Sequence, residues 1–322
     1  MSERTEQKNF INAAIIGVIS ANCCNPNGDP GNNNRPRVHR IKGLEYGWIS
    51  MYRIKRFIRD TAEILFDKKI LFKTGTVFNE EKTLLDLKDS GKGKDSTLIA
   101  SENIKKIRDA YWDIGQFGMV CTGSVASKVG GNNILGIWNV GAISLSILPI
   151  IVDEHVIIRC FTSTKDASKE EEVSVDEAGQ DADEEADEPD MDEEPVVGAK
   201  KKGKKAKKEK VSKNQNMGSQ KVVLRGYYRV VMQLNSAVAK KFGYTEEDIQ
   251  EFYEVVQEMF HGSLNAGASK YGMGWLSTPK LIMGESGSIE HFANKMDIER
   301  SDKSADNTTP ISLIETVEMV WK

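Results

Sequence analysis

The sequence predicts an α+β domain, with helices packed on an antiparallel sheet and large insertions between the elements. Two observations carry that prediction. The pattern of apolar periodicity runs strand, helix, strands, helix, strand along the chain. The chain has 322 residues, 39% of them apolar, and 27 glycines bring it to an ordinary globular composition. That length builds a sizeable core, and no repeat of 20 to 50 residues is apparent.

Asn12 to Ser20 is rich in Ile and Val and predicts the first strand. Asn22 to Arg37 follows as a loop dominated by Asn, Gly and Pro. Ile49 to Phe66 predicts a helix. At about 100° per residue, counted from Arg53, Ile54, Phe57, Ile58, Ile64 and Leu65 fall between about 20° and 140° and form the core stripe. Val77 to Ser101 is irregular, with a lysine-glycine tip at Gly91 to Lys94. Glu102 to Trp112 predicts a short helix, and Phe117 to Cys121, Val140 to Ile147 and His155 to Thr162 predict strands. A long strand is expected over Val222 to Leu234. Thr245 is an N-cap with Asp248 three residues on, a variant of the capping box. Ile249, Phe252, Tyr253, Val256 and Phe260 then form one apolar helical face. A glycine-rich stretch, Gly262 to Gly274, precedes a strand at Trp275 to Ile282. The tail from Gly284 to Pro310 is polar, and Ile311 to Trp321 predicts a closing strand.

The formal charge of −4 is an average over unlike parts. Asp166 to Glu194 holds sixteen acidic residues, and Lys200 to Lys213 holds nine lysines. Residues 165–216 together carry −6, so the remainder carries +2. That segment has too little apolar surface to offset its ordering entropy and is expected to be a disordered insertion. Residues 1–164 and 217–322 are expected to form one domain around it.

Several classes are excluded. Val129 to Val152 has no charged residue and is long enough to cross a bilayer. Its Gly, Asn and Pro, and the period-two alternation of Ile143 to Ile147, predict a half-buried strand instead. Met1 to Phe10 is polar and no signal peptide is visible. Cys23, Cys24, Cys121 and Cys160 contain no C-x-x-C pair, and four histidines lack H-E-x-x-H spacing, so no metal site is expected. Free thiols fit a cytoplasmic protein. No nucleophile elbow, P-loop or dinucleotide fingerprint is present, so no cofactor and no enzymatic activity are expected.

Binding chemistry is more visible. Lys55, Arg56 and Arg59 fall between about 200° and 300° on the first helix, opposite the core stripe. Lys55 and Arg59 are i and i+4, a spacing that grips neighbouring phosphates. The Asn22–Arg37 loop offers turn amides that can form an anion nest, flanked by Arg35 and Arg37. It leads towards the cationic helix, so the two can form one basic groove. Tyr46, Trp48 and Tyr52 stand nearby and can stack bases, although core packing is the commoner job of such rings.

On these residues the chain resembles the CRISPR-associated Cas-seven family, the backbone subunit of type I Cascade-like effector complexes. The Csd-type of subtype I-C and the Csh-type are the nearest in pattern. The resemblance rests on Asn25-Pro26-Asn27-Gly28-Asp29-Pro30 with Arg35-Pro36-Arg37, and on Lys55-Arg56-x-x-Arg59. Tyr111-Trp112-Asp113-Ile114 with Phe117-Gly118, Gly226-Tyr227-Tyr228-Arg229 and Phe242-Gly243-Tyr244-Thr245 follow in the family's order. Leu135-Gly136-Ile137-Trp138-Asn139 departs from the family's Arg-Gly-Pro-Val-Gln, and the charged insertion falls where its thumb hairpin lies.

The resemblance implies a ferredoxin-like core of the RNA-recognition-motif (RRM-like) type, shaped as a hand by insertions. It implies that copies polymerise as a helical filament along one CRISPR RNA (crRNA), beside other effector subunits, and present the guide for pairing with target DNA. Asn27, Gly28, Arg35, Arg37, Lys55, Arg56 and Arg59 are the expected contacts to the RNA backbone. Two rivals stand beside this reading. One is metal-dependent RNA cleavage by Asp29, as in type III backbone subunits. The other is a partner-binding protein acting through the charged insertion.

Overall fold

The computed structural model describes residues 11–73, 87–89, 95–160, 216–261 and 272–322. The expected disordered insertion, 165–216, lies outside the described residues except for Asn216, which begins a strand, and so do the lysine-glycine tip at 91–94 and most of the glycine-rich stretch. From the N-terminus the strands are β1 (Ala13–Cys24), β2 (Gly28–Asp29), β3 (Arg35–Pro36), β4 (Val38–Ile41) and β5 (Leu44–Ser50). Helix α1 (Met51–Phe66) follows, then α2 (Ser96–Ala110), α3 (Trp112–Phe117), β6 (Gly118–Val120), α4 (Gly123–Lys128) and β7 (Asn133–Leu135). β8 (Trp138–Val140), β9 (Ile143–Leu145) and β10 (Val152–Cys160) precede the long β11 (Asn216–Leu234). The described order ends with α5 (Ser236–Lys241), α6 (Glu246–Gln257), β12 (Met273–Trp275), β13 (Lys280–Met283), α7 (Ile289–Ala293), β14 (Met296–Arg300) and β15 (Val317–Trp321).

β1 is the spine of the main sheet. It pairs antiparallel with β11 from Ala14 opposite Gln233 to Cys24 opposite Val223. Its other edge takes β12 and then β13, both antiparallel. β8 and β10 lie on the far edge of β11. An uninterrupted apolar run suits β1 because both its faces are buried. Ala13, Ile15, Ile19 and Ala21 join one core with α1 and α6, where Trp138 stacks on Phe252 at 4.7 Å. Ala14, Ile16 and Val18 join another, with Tyr227 and Val231 of β11 under Phe292, Met296 and Ile311. A third core sits in the insertion between α1 and β8, built on Leu71, Ile107, Ile114, Met119, Val125 and Ile134.

The chain divides into two compact units, Met1–Val156 with Gln220–Lys322, and Ile157–Ser219. The described part of the second is the outer ends of β10 and β11. No helix among the described residues is long and apolar enough to cross a membrane.

Mixed helices and antiparallel sheets agree with the sequence expectation, and several boundaries move. β1 runs four residues past Ser20, because Asn22 and Cys24 still find partners on β11. The expected strand Val140 to Ile147 is two strands in two sheets: β8 pairs β11, and β9 pairs β5. The chain changes sheet at Gly141 and Ala142. The core stripe of α1 stops at Ala62, and Ile64 and Leu65 are 60% and 38% exposed. The polar tail is structured: α7 and β14 lie within it, and β14 pairs β15. The Thr245 capping box forms with both of its reciprocal bonds.

Candidate nucleic-acid interface

The Asn25–Arg37 segment folds as a miniature hairpin. β2 pairs β3, Gly28 opposite Pro36 and Asp29 opposite Arg35. Asn33 and Asn34 hold left-handed backbone at φ 42° and 55°, a region that asparagine tolerates better than most residues. A Cβ on Gly28 would overlap the Asn34 carboxamide, so a larger residue there would have to displace that side chain. Asn27 is buried, and its carboxamide donates to the Trp48 carbonyl at 3.3 Å.

The expected anion nest is not open. Asn32 and Asn34 donate their amides to the Asp29 carbonyl, Arg35 to Asn32 and Arg37 to Asn27. The Gly31 amide donates to the Asp29 carboxylate at 3.4 Å. The turn satisfies its own amides, as buried or tight backbone must, so charge on this loop comes from side chains. Arg37 pairs with Asp29 at 3.2 Å and lies over the Trp48 ring at 5.1 Å. Arg35 shares Glu45 with Arg40, at 3.3 and 2.9 Å.

The hairpin and helix do meet. Ser50 caps α1 by accepting from the Arg53 amide, and Arg53 Nε donates to the Pro26 carbonyl at 3.3 Å. Arg53 is not among the expected contacts, yet it ties loop to helix. Tyr52 beside it is 71% exposed.

The three helix cations have different jobs. Arg59 Nε binds the Asp113 carboxylate at 2.9 Å, and Asp113 is fully buried. Asp113 also accepts the amides of Leu71 and Phe72 at 2.8 and 3.3 Å. Arg56 donates to the Phe72 carbonyl at 2.6 Å and lies 4.0 Å from Asp60. Both arginines therefore hold the insertion to α1. Lys55 lies over Phe117 at 5.4 Å and has no carboxylate partner among the described residues. Burial pulls its ammonium below the usual lysine range, and Arg59 pushes in the same direction. The signal for Asp113 was a lone carboxylate in an apolar run, between Trp112 and Ile114.

Among the described residues no group of His, Cys, Asp and Glu is placed to hold a metal ion. The second face of the main sheet is not a free platform for bases, because Tyr227 and Val231 are buried in the core that holds Phe292 and Met296.

No curated protein matches the chain. Solved structures similar to it at low identity include two chains of RNA-guided complexes. A chain of a "CRISPR RNA-guided surveillance complex, pre-nicking" is 12% identical, with a TM-score of 0.38, over 78% of this chain and 72% of that one. A chain of a "CRISPR RNA-guided surveillance complex" is 14% identical, with a TM-score of 0.35, over 88% and 74%. The sequence model of the family described as CRISPR-associated protein Cas7 matches residues 12–317, which takes in the hairpin, α1, the main sheet and its C-terminal cover. The chain belongs to that family.

Proposed function

We propose that the chain is a non-catalytic backbone subunit of a type I RNA-guided effector complex. Copies of it lie along a crRNA as a filament, with other effector subunits, and hold the guide's phosphates while its bases pair with target DNA. Family membership supports the class of complex. The sheet order β12/β13, β1, β11, β8, with α1 and α6 on one face, supports the RRM-like core. Residues 1–164 and 217–322 are read as one domain with 165–216 as its insertion.

The observation that carries the RNA contact is Lys55. It is a half-buried cation whose charge is disfavoured by burial and by Arg59, with no carboxylate among the described residues to relieve it. A phosphate would supply that relief. Asn27 and Gly28 shape the loop, while Arg35, Arg37 and Arg56 add positive charge around it. Asp29, the candidate for RNA cleavage, braces Arg37 and the Gly31 amide instead.

Lys55→Ala should weaken binding to single-stranded RNA equally for all sequences. It should also reduce the slope of log affinity against log salt by roughly 0.7, one single-strand phosphate contact. Fluorescence anisotropy across a salt series measures both. An unchanged slope removes Lys55 from the interface.

A further inference from the structure

The β4–β5 hairpin carries a stack that phosphate binding leaves unused. The Trp48 amide donates to the Arg37 carbonyl at 3.0 Å, so the two residues face each other across the strands. His39, two residues along, stacks on the same indole, with centroids 5.6 Å and planes 16° apart. Strand periodicity puts Arg37 and His39 on one face of β4, with Tyr46 and Trp48 on that face of β5. His39 is exposed, and apart from this stack its imidazole has no hydrogen bond or ion pair among the described residues.

Cross-strand packing alone would account for two rings in contact. It would not account for the charge around them. Arg35, Arg37, Arg40 and Lys42 fall within eight residues, against Asp29 and Glu45. Lys42, exposed at the turn, has no ion-pair partner among the described residues. An exposed flat ring set among cations is the arrangement that takes a base on its face and phosphates at its edges.

We infer that His39, backed by Trp48, is a stacking platform for one nucleobase of a single-stranded nucleic acid, with Arg37 on the same face and Lys42 at the turn meeting the flanking phosphates. This rests on the proposed nucleic-acid-binding function and deepens it. The contact is to the face of the base, so it is open to any base and adds affinity without reading sequence.

The test compares the full chain with His39→Ala and His39→Phe. The probes are labelled oligoribonucleotides, the same ribose-phosphate chain without bases, and oligodeoxyribonucleotides. The wild type should prefer the RNA with bases to the chain without them by roughly five- to tenfold more than His39→Ala does. His39→Phe should restore that preference, since a stacking ring is all that is required. The DNA arm tells whether the base comes from RNA or from a DNA strand. If the wild type binds RNA and His39→Ala keeps the full preference for bases, the platform is wrong while the proposed function stands. If the wild type binds neither nucleic acid, both are wrong.

Discussion

Arg59→Ala should destabilise the protein by about 3–5 kcal/mol, the cost of removing one partner from a buried ion pair. The guanidinium is the only cation at 2.9 Å from Asp113 among the described residues, and that carboxylate is fully buried. The Leu71 and Phe72 amides keep two hydrogen bonds to it, but they do not cancel its charge. Urea unfolding should therefore show a lower midpoint with an unchanged slope. Adding Asp113→Asn to Arg59→Ala should recover part of the stability, because a carboxamide carries no charge and its one oxygen still accepts the Leu71 amide, the shorter of the two bonds. A midpoint equal to the wild type would show that Asp113 does not depend on Arg59. The same pairing changes how RNA binding is tested. A double substitution of Lys55 and Arg59, the natural choice from their i, i+4 spacing, would confuse a lost contact with a loosened insertion. Lys55 alone reports the contact.

How much of this was legible in the sequence depends on range. Local chemistry was: the Thr245 capping box, the α1 core residues Ile54, Phe57 and Ile58, and the long β11 all follow from spacing within a few residues. The link between loop and helix was foreseen as a direction of travel, and its agent, Arg53, was not. A helical wheel shows which face a residue occupies, and says nothing of a carbonyl 27 residues earlier. The cationic face was legible as charge and illegible as function. Lys55, Arg56 and Arg59 look alike on the wheel, yet two of them are committed to Phe72 and Asp113, on a segment whose position only the fold decides. The amide nest failed for a related reason. Asn-Gly and Asp-Pro-Gly turns expose amides only if the next turn does not use them, and here Asn33 and Asn34 curl the chain back so that the Asp29 carbonyl takes two.

The tail is the largest miss, and its polarity explains why. Most of 284–310 faces water, so its composition resembles a loop, while a few apolar residues do the covering. Phe292 and Met296 are fully buried and Ile311 nearly so, against Tyr227 and Val231 on the sheet. In an RRM-like core that sheet face is the usual platform for bases. Here that face of the sheet is covered by the chain itself, and the proposed RNA contact lies instead on the α1 and hairpin side. While the cover stays docked, Tyr227 and Val231 stay closed to any ligand.

That cover depends on Arg300, and Arg300→Met should cost about 3 kcal/mol. Arg300 grips Glu315 with two bonds, at 2.7 and 2.8 Å, and both side chains are 7% exposed. Its remaining nitrogen donates to the carbonyls of Asp306 and Thr309, so one guanidinium closes the whole loop between β14 and β15. Arg300→Lys should fall between wild type and Met, since an ammonium cannot reproduce the fork. Arg300→Met with Glu315→Leu should recover much of the loss, because no charge is then stranded. The effect has a pH signature. The Arg300 hydrogen bonds hold the Glu315 carboxyl below the usual glutamate range. A folded-state value lower than the unfolded one stabilises above the unfolded pKa, about 4.3, and that contribution disappears as pH falls through the folded value. The gap in melting temperature between wild type and Arg300→Met should thus be largest at neutral pH and narrow in acid, below the carboxylate range, to what the Asp306 and Thr309 bonds contribute. A gap that stays undiminished there would mean that the ion pair is not what fastens the cover to the sheet.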